Sequence, residues 1–357
     1  MIDTLLKDPR RRNLAILAAA AIVFVLLAVL AIHVKQGEVT PHYTEQSFFP
    51  DLVSHVRQIA TIRVQSKRGT FDVTFKPYKG WVIPSHNDYP ASYEQIKETM
   101  VGFAALLTIE PKTARAEWLH YVNLDAPPKG NGVEITFLDY KGHTLAAMIV
   151  GKSVDIGDPS GQIGLFVRKP DSDQSWLVKS PVEFKSDPAD WMDKSVMDVD
   201  RARIAETDVD PIGTPPFDTR REKQSDPDFA VTDIPTGREL ADPGAADAVA
   251  TAISAFTFDD ARPSKDFDFA DAARLISHTF DGLIVTVETL KRDDGYWATV
   301  SAEAAPGKPD AAREAREIDA HAAGWAYKLP AAEGQLFMTT LESLLKPVGP
   351  AKPAPAP

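Results

Sequence analysis

Trp176-Leu177-Val178-Lys179-Ser180-Pro181 and Trp325-Ala326-Tyr327-Lys328-Leu329-Pro330 are two versions of one pattern. Each reads as a strand whose tryptophan turns inward and whose proline ends the ladder, because proline has no N–H to donate. Four further matches lie in the same order. Gly132-Val133-Glu134-Ile135-Thr136-Phe137 matches Gly282-Leu283-Ile284-Val285-Thr286-Val287. Ile96, Met100 and Phe103 match Val249, Ile253 and Phe256 with identical spacing. Pro84 matches Pro235, and Ile59-Ala60 through Val64 matches Ile204-Ala205 through Val209. Every offset is roughly 150 residues, the size of one ordinary domain. The pattern therefore predicts a duplicated module, residues 56–200 and 201–346. Trp176, Lys179, Pro181, Trp325, Lys328 and Pro330 are its repeat-marking residues, read as structural because they recur at the same place in both halves.

Outward from the repeat, each half carries hairpin strands and one main helix. Lys67-Arg68-Gly69 turns Ile59–Val64 back into Thr70–Phe75, and Gly80-Trp81-Val82-Ile83-Pro84 is a short third strand. Ser92 to Thr108 is the first main helix, with Ser92 and Gln95 at capping-box spacing and Ile96, Met100, Phe103 and Leu107 as a core stripe. Asp187 is an N-cap with Pro188 at the first helical position. In the second half Asp242-Pro243 opens the other main helix, residues 210–228 form a loop, and Asp293-Asp294-Gly295 turns a hairpin. Ala304 to Ala315 is a weakly hydrophobic insert, and Gly334 to Lys346 is a closing helix. Hairpin strands with segregated helices predict an α+β fold, two tandem modules each with an antiparallel or mixed sheet and one main helix.

Leu14 to Val34 is an uncharged apolar run, long enough to cross a bilayer as a helix. Lys7, Arg10, Arg11 and Arg12 precede it, which places residues 1–13 in the cytoplasm and the rest outside. The run is longer than a signal-peptide core and no Ala-x-Ala site closes it, so it reads as a retained anchor marked by Leu14, Phe24 and Val34. Residues 35–55 then form a stalk, and the Pro/Ala-rich residues 347–357 a tail without packed structure. The expected location is the bacterial inner membrane, with the bulk of the chain extracytoplasmic.

The composition, 44% hydrophobic and 25% charged, is that of a globular protein. A net charge of −12 argues against nucleic acid as a partner. No cysteine is present, which removes disulfides, thiolate catalysis and Cys-ligated metals. Residues 157–164 carry glycines but lack the Lys-Ser/Thr of a phosphate loop, so they read as a turn. There is no Gly-x-Ser-x-Gly elbow and no His-Glu-x-x-His. His42, His55, His86, His120, His143, His278 and His321 stand singly. The aspartates around 187–200 and 259–271 lack the spacing of a calcium loop and read as caps and turns. No catalytic, cofactor-binding or metal-binding residue is singled out.

The amino-terminal run, Gly80-Trp81-Val82-Ile83-Pro84, the helix from Ser92, Trp176-Leu177-Val178 and Asp190-Trp191-Met192-Asp193-Lys194 together resemble the bacterial domain-of-unknown-function family 4340. The resemblance is best over residues 59–209. It implies a membrane-tethered accessory subunit associated with ABC-type transport systems of the gliding-motility auxiliary kind, with permease or ATPase subunits as partners. The family supplies no catalytic residue. The expected function is thus a non-enzymatic accessory or scaffold subunit of an ABC-type transport or cell-envelope complex. The alternative is an extracytoplasmic binding module for envelope glycan or polymer.

Overall fold

The computed structural model describes residues 17, 21–28, 44–232 and 234–347. Nine antiparallel strands build a first sheet: β1 (Ile59–Ser66), β2 (Gly69–Lys76), β3 (Gly80–Ile83), β4 (Tyr89–Pro90), β5 (Leu107–Pro111), β6 (Val133–Asp139), β7 (Thr144–Val154), β8 (Ile163–Arg168) and β9 (Ser175–Ser180). Their order is β4-β3-β2-β1-β6-β7-β8-β9-β5. Alternation decides which face is inside. Along β1, Ile62 and Val64 are buried while Thr61, Arg63 and Gln65, which alternate with them, are half-buried.

A second sheet has eight strands: β10 (Ile204–Asp210), β11 (Phe217–Arg220), β12 (Ala230–Val231), β13 (Asp260–Pro263), β14 (Ala273–Thr279), β15 (Leu283–Arg292), β16 (Gly295–Ala304) and β17 (Trp325–Leu329). Its order is β12-β11-β10-β14-β15-β16-β17-β13, which follows the first sheet position for position once β4 is set aside. Even an irregularity recurs. The register slips at Ala60, between Ile59↔Asp139 and Thr61↔Leu138, and again at Ala205, between Ile204↔Thr279 and Glu206↔His278. Each is a bulge, two residues facing one. The strand order also shifts one sequence match: Gly132–Phe137 lies on β6, whose counterpart by position is β14, whereas Gly282–Val287 lies on β15.

The expected α+β fold with an amino-terminal spanning helix is corrected to two large antiparallel sheets with few helices. Among the described residues no helix is long and apolar enough to cross a membrane. Helix is described only at residues 17 and 21–28 of the apolar run. Leu14 and Val34 lie outside the described residues, as do residues 1–13 and 348–357, while Phe24 is exposed. Phe48, Phe49 and Leu52, the last opening helix α1 (Leu52–His55), are buried although their segment reads as a stalk.

Only the first module carries its main helix as expected in kind. Helix α2 (Tyr93–Ala104) starts on Ser92, whose hydroxyl accepts from Gln95 N–H at 3.2 Å, and it gives way to β5 at Leu107. The helix expected from Asp242 is reduced to α3 (Asp247–Ala250) and a 3₁₀ turn over Ala252–Ala255. The Thr251 hydroxyl donates back to Asp247 O at 2.7 Å, a bond that competes with helix propagation. The insert expected at Ala304–Ala315 instead holds the start of α4 (Pro309–Ala322), the longest described helix. Its buried stripe is Ala311, Ala315, Ile318 and Ala322, mostly small side chains in a segment of low overall hydrophobicity. The closing helix breaks into α5 (Ala331–Phe337) and α6 (Leu341–Leu344).

The two sheets share one continuous apolar core. At its centre Tyr89 of β4 meets Trp325 at 4.8 Å, Phe258 at 5.8 Å and Tyr327 at 6.4 Å between ring centroids. The Tyr89 hydroxyl donates to Asp193 O at 2.9 Å, and burial pushes this phenol far above its usual range. Lys194 donates to Phe258 O and lies 4.0 Å over the Phe258 ring.

Candidate functional site

Where β1, β2 and β3 end against α2, the first sheet leaves an open groove of about 370 Å³. Phe75 and Trp81 face each other across the β2–β3 pair, 5.8 Å apart and edge to face. Tyr93, Lys97, Met100 and Val101 come from one side of α2, at the i, i+4, i+7 and i+8 positions of a single stripe. Val56, Arg57 and Ile59 form a further wall, and Tyr140 completes the lining. Asp139 fixes the turn that carries Tyr140, accepting from the N–H groups of Lys141 and His143, each at 2.8 Å. Those bonds, led by the one from His143, hold the Asp139 carboxyl below its usual range.

The lining is unusual for a surface. Tyr93 is 69% exposed, Tyr140 68%, Val101 55% and Phe75 37%. No carboxylate and no side-chain amide lines the groove, and its only charges are Arg57 and Lys97. Contiguous apolar exposure of this kind marks interaction sites more often than it marks plain surface.

The second sheet shows what closes such a place. Thr61 pairs with Thr74 just past the first bulge, and Glu206 pairs with Arg220 just past the second. Phe75 therefore corresponds to Arg221, Trp81 to Phe229, and Tyr140 to Phe280. Arg221 is buried, and it donates to the carbonyls of Ile204, Arg201 and Ala202, each at 2.8 Å. Its guanidinium also packs on the rings of Phe229 at 4.7 Å and Phe280 at 5.7 Å. The three carbonyls belong to the counterparts of Ile59, Val56 and Arg57. One arginine thus fills in the second sheet what Phe75 leaves open in the first.

The residues marked by the repeat do not meet in one site. Trp176 and Lys179 lie on β9, and Trp325 and Lys328 on β17, in different sheets. Lys179 pairs with Asp158 at 3.0 Å and Glu45 at 3.3 Å. Pro181 follows β9 directly, and Pro330 caps α5. Asp187 does cap the 3₁₀ turn Pro188–Trp191, accepting from Ala189 N–H.

The one group of described residues able to gather around a metal ion is Glu206, Asp208 and Asp218, whose oxygens lie within 4.8 Å of one another. Asp208 and Asp218 are directly opposed across two strands, an unfavourable like-charge pair. Arg220 meets Glu206 at 3.1 Å and so partly neutralises the cluster, while His278 hydrogen-bonds Asp208 at 3.2 Å. The groove was missed in the sequence because its helix stripe was assigned wholly to the core; only Ile96 and Phe103 of that stripe are buried, while Met100 is a groove wall.

Residues 81–275 match the family described as a domain of unknown function, DUF4340. The chain belongs to this family. The DUF4340 match begins on Trp81, in the groove wall, and ends on β14, so it takes in parts of both sheets. No curated protein and no solved structure matches the chain.

Proposed function

We propose that this DUF4340 chain is a non-enzymatic docking protein, an accessory or scaffold subunit of an ABC-type transport or cell-envelope complex. The groove on the first sheet would seat a segment of a partner protein. One observation carries the reading: an aromatic groove stays open in the first sheet, while its counterpart in the second is closed by Arg221. Burial of Tyr93, Val101, Phe75 and Tyr140 would drive association, as apolar and aromatic anchors do at interfaces.

The exposed rings of Tyr93 and Tyr140 favour a second reading, stacking on an envelope glycan. Carboxylates and amides, which can pair with two sugar hydroxyls at once, are missing from the groove lining, whose polar side chains are Arg57, Lys97 and the tyrosine hydroxyls. Extracytoplasmic placement is part of the same proposal and rests on the family resemblance; protease accessibility in intact spheroplasts decides it.

The docking test is photo-crosslinking in cells from a benzophenone residue at position 93 or 101, with position 316 on exposed α4 surface as control. A discrete protein adduct from 93 and 101 but not from 316 is the expected result. Diffuse, glycosidase-sensitive adducts would favour the glycan, and no adduct at either groove position would end the docking reading.

A further inference from the structure

Resting on the docking reading, we propose that the groove's occupant is an acidic amphipathic helix of a partner protein. Strand addition is not open to a ligand here, because β1, β2 and β3 all have their neighbours; β3 is covered by β4. Recognition must therefore run through side chains. The groove follows α2 from Tyr93 to Val101, about two helical turns or 12 Å. That is the reach of a partner helix offering apolar residues at i, i+3 or i+4, and i+7.

Charge selects among such helices. Arg57 comes from the 3₁₀ turn and Lys97 from α2, so the cations stand on two different walls. Among the described residues Arg57 has no ion pair, and Lys97 has only the exposed Glu94 at 3.2 Å, a partner it can exchange. Two cations on an apolar groove favour an anionic segment at contact range, against the long-range field of a chain of net charge −12. The second sheet supports the link between opening and charge. Ala202 stands where the first module has Arg57, and there the groove is closed.

Selection of displayed random peptides on the purified full chain tests this. We expect enriched peptides with Asp or Glu flanking apolar residues spaced three and four apart. Their affinity should fall at least tenfold on Met100→Asp and on combined Arg57→Glu and Lys97→Glu. All three positions lie at or near the surface, and unchanged far-UV circular dichroism confirms folding. A second readout needs no variant: binding to the native chain should weaken as salt rises. Basic or uncharged winners that still respond to Met100→Asp, or salt-independent binding, would overturn the acidic helix and leave docking in place. Winners that ignore Met100→Asp, or no winners, would remove the groove as a peptide site altogether.

Discussion

At the residue scale, Arg221 illustrates how one side chain can decide the state of a surface. Its fork, itself buried, donates to three carbonyls, of Ile204, Arg201 and Ala202. Arg221→Ala should therefore cost on the order of 2–4 kcal/mol, more than a surface arginine would, because it removes a buried side chain together with its hydrogen bonds and its packing on Phe229. Arg221→Lys should not restore the loss, since an ammonium cannot span the same fork. Urea denaturation midpoints check both. Gly334 poses the opposite constraint: a Cβ there would fall on the Tyr296 ring. Gly334→Ala should lower stability by about 1–3 kcal/mol through overpacking, read as a lower Tm. Asp158 supplies a pH signature. The Ser160 hydroxyl and then Lys179 hold its carboxyl down at about 2. With the folded value below the unfolded value of about 3.9, its stabilisation is complete above the latter and is lost as pH falls toward 2. An acid titration of Asp158→Asn should show a less stable protein above pH ~4, with the two curves converging below about pH 2.

At the element scale, the long hairpin strands and helix α2 are legible, whereas the short strands β4, β5, β11, β12 and β13, strand β14 and the other helices are not. Alternation of apolar and polar residues marks β1, β15 and β16 plainly. The same alternation makes any two strands look alike, which is why Gly132–Phe137 was matched to β15 rather than β14. Helix α4 is hidden because alanines form most of its buried stripe and charged residues most of the rest, so the segment as a whole reads as weakly hydrophobic. That face sits close against β15 and β16 for the same reason. Ala315→Leu should cost about 1–3 kcal/mol, whereas Arg316→Leu on the exposed side should be within about 0.5 kcal/mol of neutral. Thermal melts of the two variants make the comparison. The groove was illegible because it is assembled from four segments, residues 56–59, 75–81, 93–101 and 140, that only the sheet order brings together.

At the scale of the whole molecule, the strand orders of the two sheets correspond, yet the halves do not stand apart. Tyr89 of the first sheet is packed into the aromatic group of the second, and the core runs through both. Unfolding of residues 44–347 should thus be a single transition, coincident by near-UV and far-UV circular dichroism. Two separated steps would show that the sheets hold their structure independently. Tyr89→Ala should remove about 3–5 kcal/mol from that one transition.

The closed counterpart groove also fixes valency. A chain built on two like sheets would offer two equivalent seats and could crosslink its partner into chains or networks. On the docking reading, with Arg221 occupying one of them, a single seat of this kind remains among the described residues. On the docking reading the complex is capped at one partner segment per copy, so this subunit ends an assembly at that contact and does not propagate it.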